Sequence, residues 1–157
     1  MLKKKKYVVF RVENRKFALH LSNVDRVVRI VEVTPLSKAP KFILGTINFK
    51  GEFLPVINLR ILFDLIGKEI SLSDQLIIAT ISSKKVALWV DFVSGIIERD
   101  DNEIIKTDKI LLNSEYVEGS IKFNDEIVII HDLETFFEQN EKAIERAKIK
   151  KKVTSKT

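Results

Sequence analysis

His20 and His131 are the only histidines available for acid–base or metal chemistry, and neither has a second ligand at helical or hairpin spacing. Both read as structural or surface side chains. The acidic run Glu98, Asp100, Asp101 and Glu103 lacks the alternating-oxygen spacing and terminal bidentate glutamate of a calcium loop, so a solvated connector is expected. The five glycines (45, 51, 67, 95 and 119) form neither a dinucleotide fingerprint nor a phosphate loop. No Gly-x-Ser-x-Gly elbow occurs, and without cysteine the chain has no thiolate nucleophile, thiolate metal site or disulfide. Carboxylates such as Asp25 and Asp91 cannot be brought together from spacing alone. No enzyme is expected, and no metal, cofactor or small-molecule substrate.

The elements that hold these residues are written twice. GTINFKGEFLPVINLRILF at 45–63 returns as GSIKFNDEIVIIHDLETFF at 119–137, a 19-residue phrase with six identities. KFALHLSNVDRVV at 16–28 returns as KVALWVDFVSGII at 85–97. His20 then corresponds to Trp89, and His131 to Ile57. A small β module used twice, with no reactive cluster, is a scaffold for other proteins to grip.

Alternating apolar runs predict a hairpin of Tyr7–Glu13 with Lys16–Leu21 around Asn14-Arg15, and another of Leu76–Ile81 with Val86–Val90 around Ser83-Lys84. A β-branched run follows each, Val27–Val33 or Val93–Ile97. The repeated phrase supplies two more strands per half, turning at Lys50-Gly51 and Asn124-Asp125. Pro55 has no N–H and belongs on an edge strand or at a bulge. Asn58 and Asp132 read as N-caps of helices over about 59–66, stopped by Gly67, and from 133 to about 147 with a break at Asn140. A mainly β fold follows, with about five short, bent strands per half curling into a small barrel. Lobes are expected at roughly 7–67 and 74–137, with strands open to exchange between them.

Composition narrows the function classes. The chain has 157 residues, 45% of them apolar, enough for one compact domain or two small lobes sharing a core. No segment reaches the roughly 18–20 apolar residues of a membrane span, and Arg11 ends the short apolar run after Lys3–Lys6, so no signal peptide is expected. The net charge of +5 sits on the ends: residues 1–6 and 141–157 are strongly basic, leaving 7–140 at −4. A nucleic-acid surface would carry its cations on the folded body, so pI 9.3 is weak support for one. The ends read as solubilising tails.

Gly45-x-x-Asn48-Phe49-Lys50-Gly51 followed by Pro55-Val56-Ile57-Asn58-Leu59-Arg60 resembles the central signature of the CheW family of chemotaxis adaptors. Val90-Asp91-Phe92-Val93 with Ile96, and Tyr116-Val117-Glu118-Gly119, resemble two further family elements in family order. The match runs from about Tyr7 to Phe137. The resemblance implies two SH3-like five-stranded barrels in a single CheW-like domain over 7–139, and no enzymatic activity. It implies two partners, the cytoplasmic tip of chemoreceptors and the regulatory domain of the kinase CheA. It also implies a cytoplasmic protein recruited to receptor arrays, without membrane insertion. Carried over residue by residue, Arg26, Gly45, Asn48, Lys50 and Gly51 fall at receptor-binding positions. Pro55, Asn58, Leu59, Arg60, Val90, Asp91 and Val93 fall at structural positions that are also candidates to face the kinase.

One departure bears on binding. The family has glutamate and arginine where this chain has Arg26 and Lys50, an opposite-charge pair replaced by two cations. Either the receptor has co-varied, or Glu52 or another acid supplies the counter-charge, or receptor affinity is weak. The alternative within the fold is a CheW-like scaffold for another receptor–kinase pathway, and outside it a nucleic-acid-binding barrel.

Overall fold

The computed structural model describes residues 3–106 and 116–147. Eleven strands among them form two mainly antiparallel sheets. They are β1 (Lys4–Val12), β2 (Arg15–His20), β3 (Val24–Arg29), β4 (Ile43–Phe49), β5 (Glu52–Asn58), β6 (Gln75–Ile81), β7 (Lys84–Val90), β8 (Phe92–Asp100), β9 (Ile105–Lys106), β10 (Val117–Phe123) and β11 (Glu126–His131). The six-stranded sheet runs β8-β1-β2-β11-β10-β9, and the five-stranded sheet β3-β6-β7-β5-β4.

Hydrogen bonding crosses the halves of the repeat. The hairpin β1–β2 pairs with β8 and β11, and its counterpart β6–β7 pairs with β3 and β5. Each sheet holds one parallel pairing at the equivalent place, β2 with β11 and β7 with β5. The two hairpins have traded places, and each sheet is built from both halves.

The exchange explains why the central strands are apolar on both faces. In β7, Ala87 and Trp89 enter the core of the five-stranded sheet beside Ile47, Leu54, Val56, Leu76 and Ile78. Val86, Leu88 and Val90 face the other way, into a larger core shared with Phe10, Phe17 and Phe137. Tyr7, Val9, Ala18, Ile121, Val128 and Ile130 fill the interior of the six-stranded sheet.

Turns Lys50-Gly51 and Asn124-Asp125 occur as expected, each with two consecutive positive φ values of the hairpin type that matches strand twist. The other two hairpins turn one residue earlier than predicted, at Glu13-Asn14 and Ser82-Ser83. The cross-strand register there is set by the buried pairs Phe10 with Phe17 and Ala79 with Val86, which outrank turn propensity. Pro55 is buried on an inner strand rather than an edge. It fits because the parallel ladder to β7 begins one residue later, at Val56.

Helix α1 (Leu59–Leu62) is shorter than predicted and stops before Gly67. Asp64 takes φ 56° just after the helix, and the N–H groups of Asp64 and Leu65 return to the carbonyls of Ile61 and Arg60. These two bonds are the Schellman pattern, closed here by an aspartate instead of glycine. Helix α2 (Leu133–Gln139) begins at Asp132, whose carboxylate accepts from the Thr135 N–H at 3.2 Å and hydroxyl at 2.7 Å. Asn140 ends it, and residues 141–147 resume as helix. Ile144 and Ala147 are buried in the shared core, so this segment docks on the body. Lys84 fastens it through Glu145 at 2.6 Å and Glu141 at 3.2 Å.

His131 closes the seam between α1 and the second half. Its ring stacks on Phe63 at 3.8 Å, and its Nδ1 lies 3.1 Å from the Tyr116 carbonyl oxygen, which can only accept. Nε2 is buried without a partner, so a second proton there would have no acceptor. Burial lowers the imidazole from its usual 6.5 to about 4, against the opposing pull of the Tyr116 carbonyl. Because the folded value lies below the unfolded one, the contribution is whole above pH 6.5 and is lost as pH falls towards 4. That amounts to about 3 kcal/mol of stability. The His131 ring signal in NMR should titrate near pH 4, and His131→Asn should remove this component from the pH dependence of unfolding. A ring titrating near 6.5 contradicts the account.

Candidate partner-binding site

The turn of the first repeated phrase presents an aromatic ring between two cations. Asn48 Oδ1 accepts from the Gly51 N–H at 2.9 Å, and Gly51 has φ 81°, so both residues fix the turn. Phe49 is thereby held at the end of β4 with the Lys50 ammonium 5.5 Å from its ring centre. Arg26 reaches the same ring from β3, with its guanidinium carbon at 5.7 Å. A bulge between Val24 and Arg26 re-aims the arginine so that it shares a face with Val28, which packs on the core beneath Phe49. β3 and β4 are the two edges of the five-stranded sheet, so the sheet curls until its edges approach at this ring.

Gly45 belongs to a backbone device present in both copies. β4 bulges between Ile43 and Gly45, and β10 bulges between Val117 and Gly119. A Cβ on Gly45 would fall 2.3 Å from the Thr34 carbonyl oxygen, and one on Gly119 would fall 2.8 Å from that of Ile105. Each glycine lets an extra segment lie against the sheet. Thr34 exchanges two hydrogen bonds with Thr46, and β9 pairs with β10.

The rest of the signature is consumed inside. Asn58 caps α1 through the Arg60 N–H at 3.1 Å, and Leu59 is fully buried. Arg60 is 1% exposed and joins parts of the chain distant in sequence. Its Nη2 donates to Asp91 at 2.5 Å, its Nε lies 3.7 Å from Glu13, and its guanidinium covers Trp89 at 5.1 Å. Asp91 also accepts from the Glu13 N–H at 2.8 Å, fixing the β1–β2 turn against the start of β8. Val90 is buried in the shared core, and the half-buried Val93 packs against it while its N–H donates to Gln75 at 2.7 Å.

The chain reading overlooked Lys68 and Asp74, which extend this network. Asp74 is 2% exposed and accepts from Trp89 Nε1 at 2.9 Å, from the Ser71 N–H at 2.8 Å and from Lys68 at 2.9 Å. Burial acts to raise its carboxyl, but these three donors prevail and hold it below the usual value. The one available signal was Trp89 itself, since a buried indole N–H needs an acceptor. The position of Phe49 between two cations was also not legible, since it depends on Arg26 from another strand.

The structure therefore gathers Arg26, Asn48, Lys50 and Gly51 around Phe49. It places Asn58, Leu59, Arg60, Val90, Asp91 and Val93 around an interior ion pair, with Pro55 and Gly45 in the intervening strands. A CheW-like domain model matches residues 6–141. The chain belongs to the CheW family. The crystal structure of scaffolding protein TtCheW from Thermoanaerobacter tengcongensis superposes with a TM-score of 0.78 at 33% identity, covering 86% of this chain and 88% of that one. A chemotaxis protein CheW of Rhizobium meliloti is 26% identical over 86% of this chain and 88% of its own length. One from Thermotoga maritima is 24% identical over 88% and 91%. CheW proteins are chemotaxis scaffolds, and the mainly β, two-sheet architecture agrees with the family. No helix among the described residues is long and apolar enough to cross a membrane.

Proposed function

We propose that this chain is a non-enzymatic adaptor that couples the cytoplasmic tips of chemoreceptors to the regulatory domain of CheA. The CheW-like unit of 7–139 acts together with the start of β1 at Lys4 and the docked segment 141–147, both ends of the chain carry basic charge, and the protein works in the cytoplasm at receptor arrays. The observation that carries this reading is the division of the signature between inside and outside. Arg60, Leu59 and Val90 are enclosed and can serve a partner only by shaping the scaffold. Arg26, Asn48 and Lys50 stand exposed around Phe49, where a receptor hairpin could meet an aromatic ring and charge together. The mechanism is binding: holding receptor and kinase on one scaffold raises their effective concentration, and packing differences in the receptor bias the kinase.

A three-component pull-down tests it. Immobilised CheA regulatory domain should retain the protein, and should retain a soluble receptor tip only when the protein is present. Retention of the tip to the same extent without it would contradict the adaptor reading.

A further inference from the structure

The repeated phenylalanines, Phe49 and Phe123, form an internal control. Each has two cations over its ring, Arg26 and Lys50 in the first copy and Lys16 and Arg99 in the second. In the second copy both cations have carboxylates of their own: Lys16 meets Glu126 at 2.7 Å, and Arg99 meets Glu103 at 4.0 Å. In the first copy neither does, among the described residues. Glu52 is the repeat counterpart of Glu126, and it is occupied with Lys85, the counterpart of Lys16, at 3.6 Å. One ion pair is thus duplicated in both copies, and the first copy carries two cations beyond it.

Two exposed like charges sharing a ring, in a fold that elsewhere supplies each such cation with an acid, mark a surface completed from outside. We propose that Arg26 and Lys50 clamp a carboxylate of the receptor's helical tip, whose adjacent apolar side chain covers Phe49. This rests on the adaptor reading and names the chemistry of the receptor at that site. The guanidinium offers a planar fork to the carboxylate and the ammonium a point charge, a division of labour that a receptor carrying arginine or lysine at the same point could not use. Opposite charge here sets specificity and encounter rate, and places a like-charged receptor at a disadvantage.

The test uses the full chain and soluble hairpin tips of the chemoreceptors from the same cell, with affinity measured at low and high salt. Arg26→Glu with Lys50→Glu should weaken tip binding by on the order of 100-fold at low salt and should flatten its salt dependence. Converting one glutamate or aspartate of the tip to lysine should restore binding to the doubly reversed chain and abolish binding to the natural one. Both substituted residues are exposed, so the CheA regulatory domain should bind all variants alike, which reports intact folding. Unchanged tip affinity in the reversed chain overturns the clamp while leaving the adaptor reading in place. A natural chain that binds no tip at all fails the adaptor reading itself. Binding of the natural chain to phosphatidylglycerol vesicles that is lost on reversal, with tip binding untouched, assigns the cations to lipid phosphate and overturns the clamp.

Discussion

Replacing Arg60 with alanine will cost about 3 kcal/mol of folding stability, near the lower end for breaking a buried ion pair. Removing the guanidinium leaves Asp91 with only the Glu13 N–H and a Lys68 ammonium 3.8 Å away. The lower end applies because the Asp91 side chain is 25% exposed and water can reach it. Part of the loss is packing, since the arginine also lies over Trp89. Arg60→Lys should not rescue the fold, because a single ammonium cannot address Asp91, Glu13 and the indole face together. A double-mutant cycle of Arg60→Met with Asp91→Asn, followed by urea unfolding, measures the coupling directly. A coupling near zero would mean that the contact contributes nothing beyond its separate parts.

Gly45→Ala will be comparably damaging, by a steric mechanism that removes no existing side-chain contact. The added methyl lands 2.3 Å from the Thr34 carbonyl oxygen, 2.9 Å from its carbonyl carbon and 2.9 Å from Val33. Two of those atoms are backbone, and the Thr34–Thr46 bridge has two hydrogen bonds to lose if they move. Overpacking of this kind costs up to about 3 kcal/mol. Gly119→Ala should follow at a smaller cost, since its closest approach is 2.8 Å, and Gly67→Ala, with nothing within 4 Å, should be nearly silent. Thermal unfolding of the three variants should rank them in that order. A Gly45→Ala chain as stable as Gly67→Ala would show that the strand gives way freely. Any loss of receptor binding on changing Gly45 would then arise through the backbone rather than through a lost contact.

The duplication makes most of the fold legible in the sequence. Most strand positions, the Lys50-Gly51 and Asn124-Asp125 turns and both helix caps follow from local chemistry that the chain states twice, although β3 covers Val24–Arg29 where the β-branched run predicts Val27–Val33. Exchange of strands between the lobes was left open by the sequence, but which strands exchange was not readable, because a strand buried on both faces looks the same whichever neighbour it pairs with. Helix α1 was overestimated for a related reason. Leu62, Leu65 and Ile66 suit a helix, but Phe63 is drawn to His131 and Phe17, and Asp64 adopts the left-handed turn this requires. At the site, spacing identified the Lys50-Gly51 turn and the Asn58 cap, but not the Asn48 side chain that fixes the turn. It could not show that Arg60 lies inside while Arg26 crosses to Phe49, since both depend on contacts between residues tens of positions apart.

The central claim is that this chain transmits receptor state to a kinase without chemistry of its own. CheA autophosphorylation measured with receptor-containing membranes, with and without this protein, tests it most directly. Receptor ligand should change the kinase rate only when the protein is present, and the Arg26→Glu, Lys50→Glu chain should uncouple the two while still binding CheA. Equal ligand control of the kinase in its absence would contradict the account.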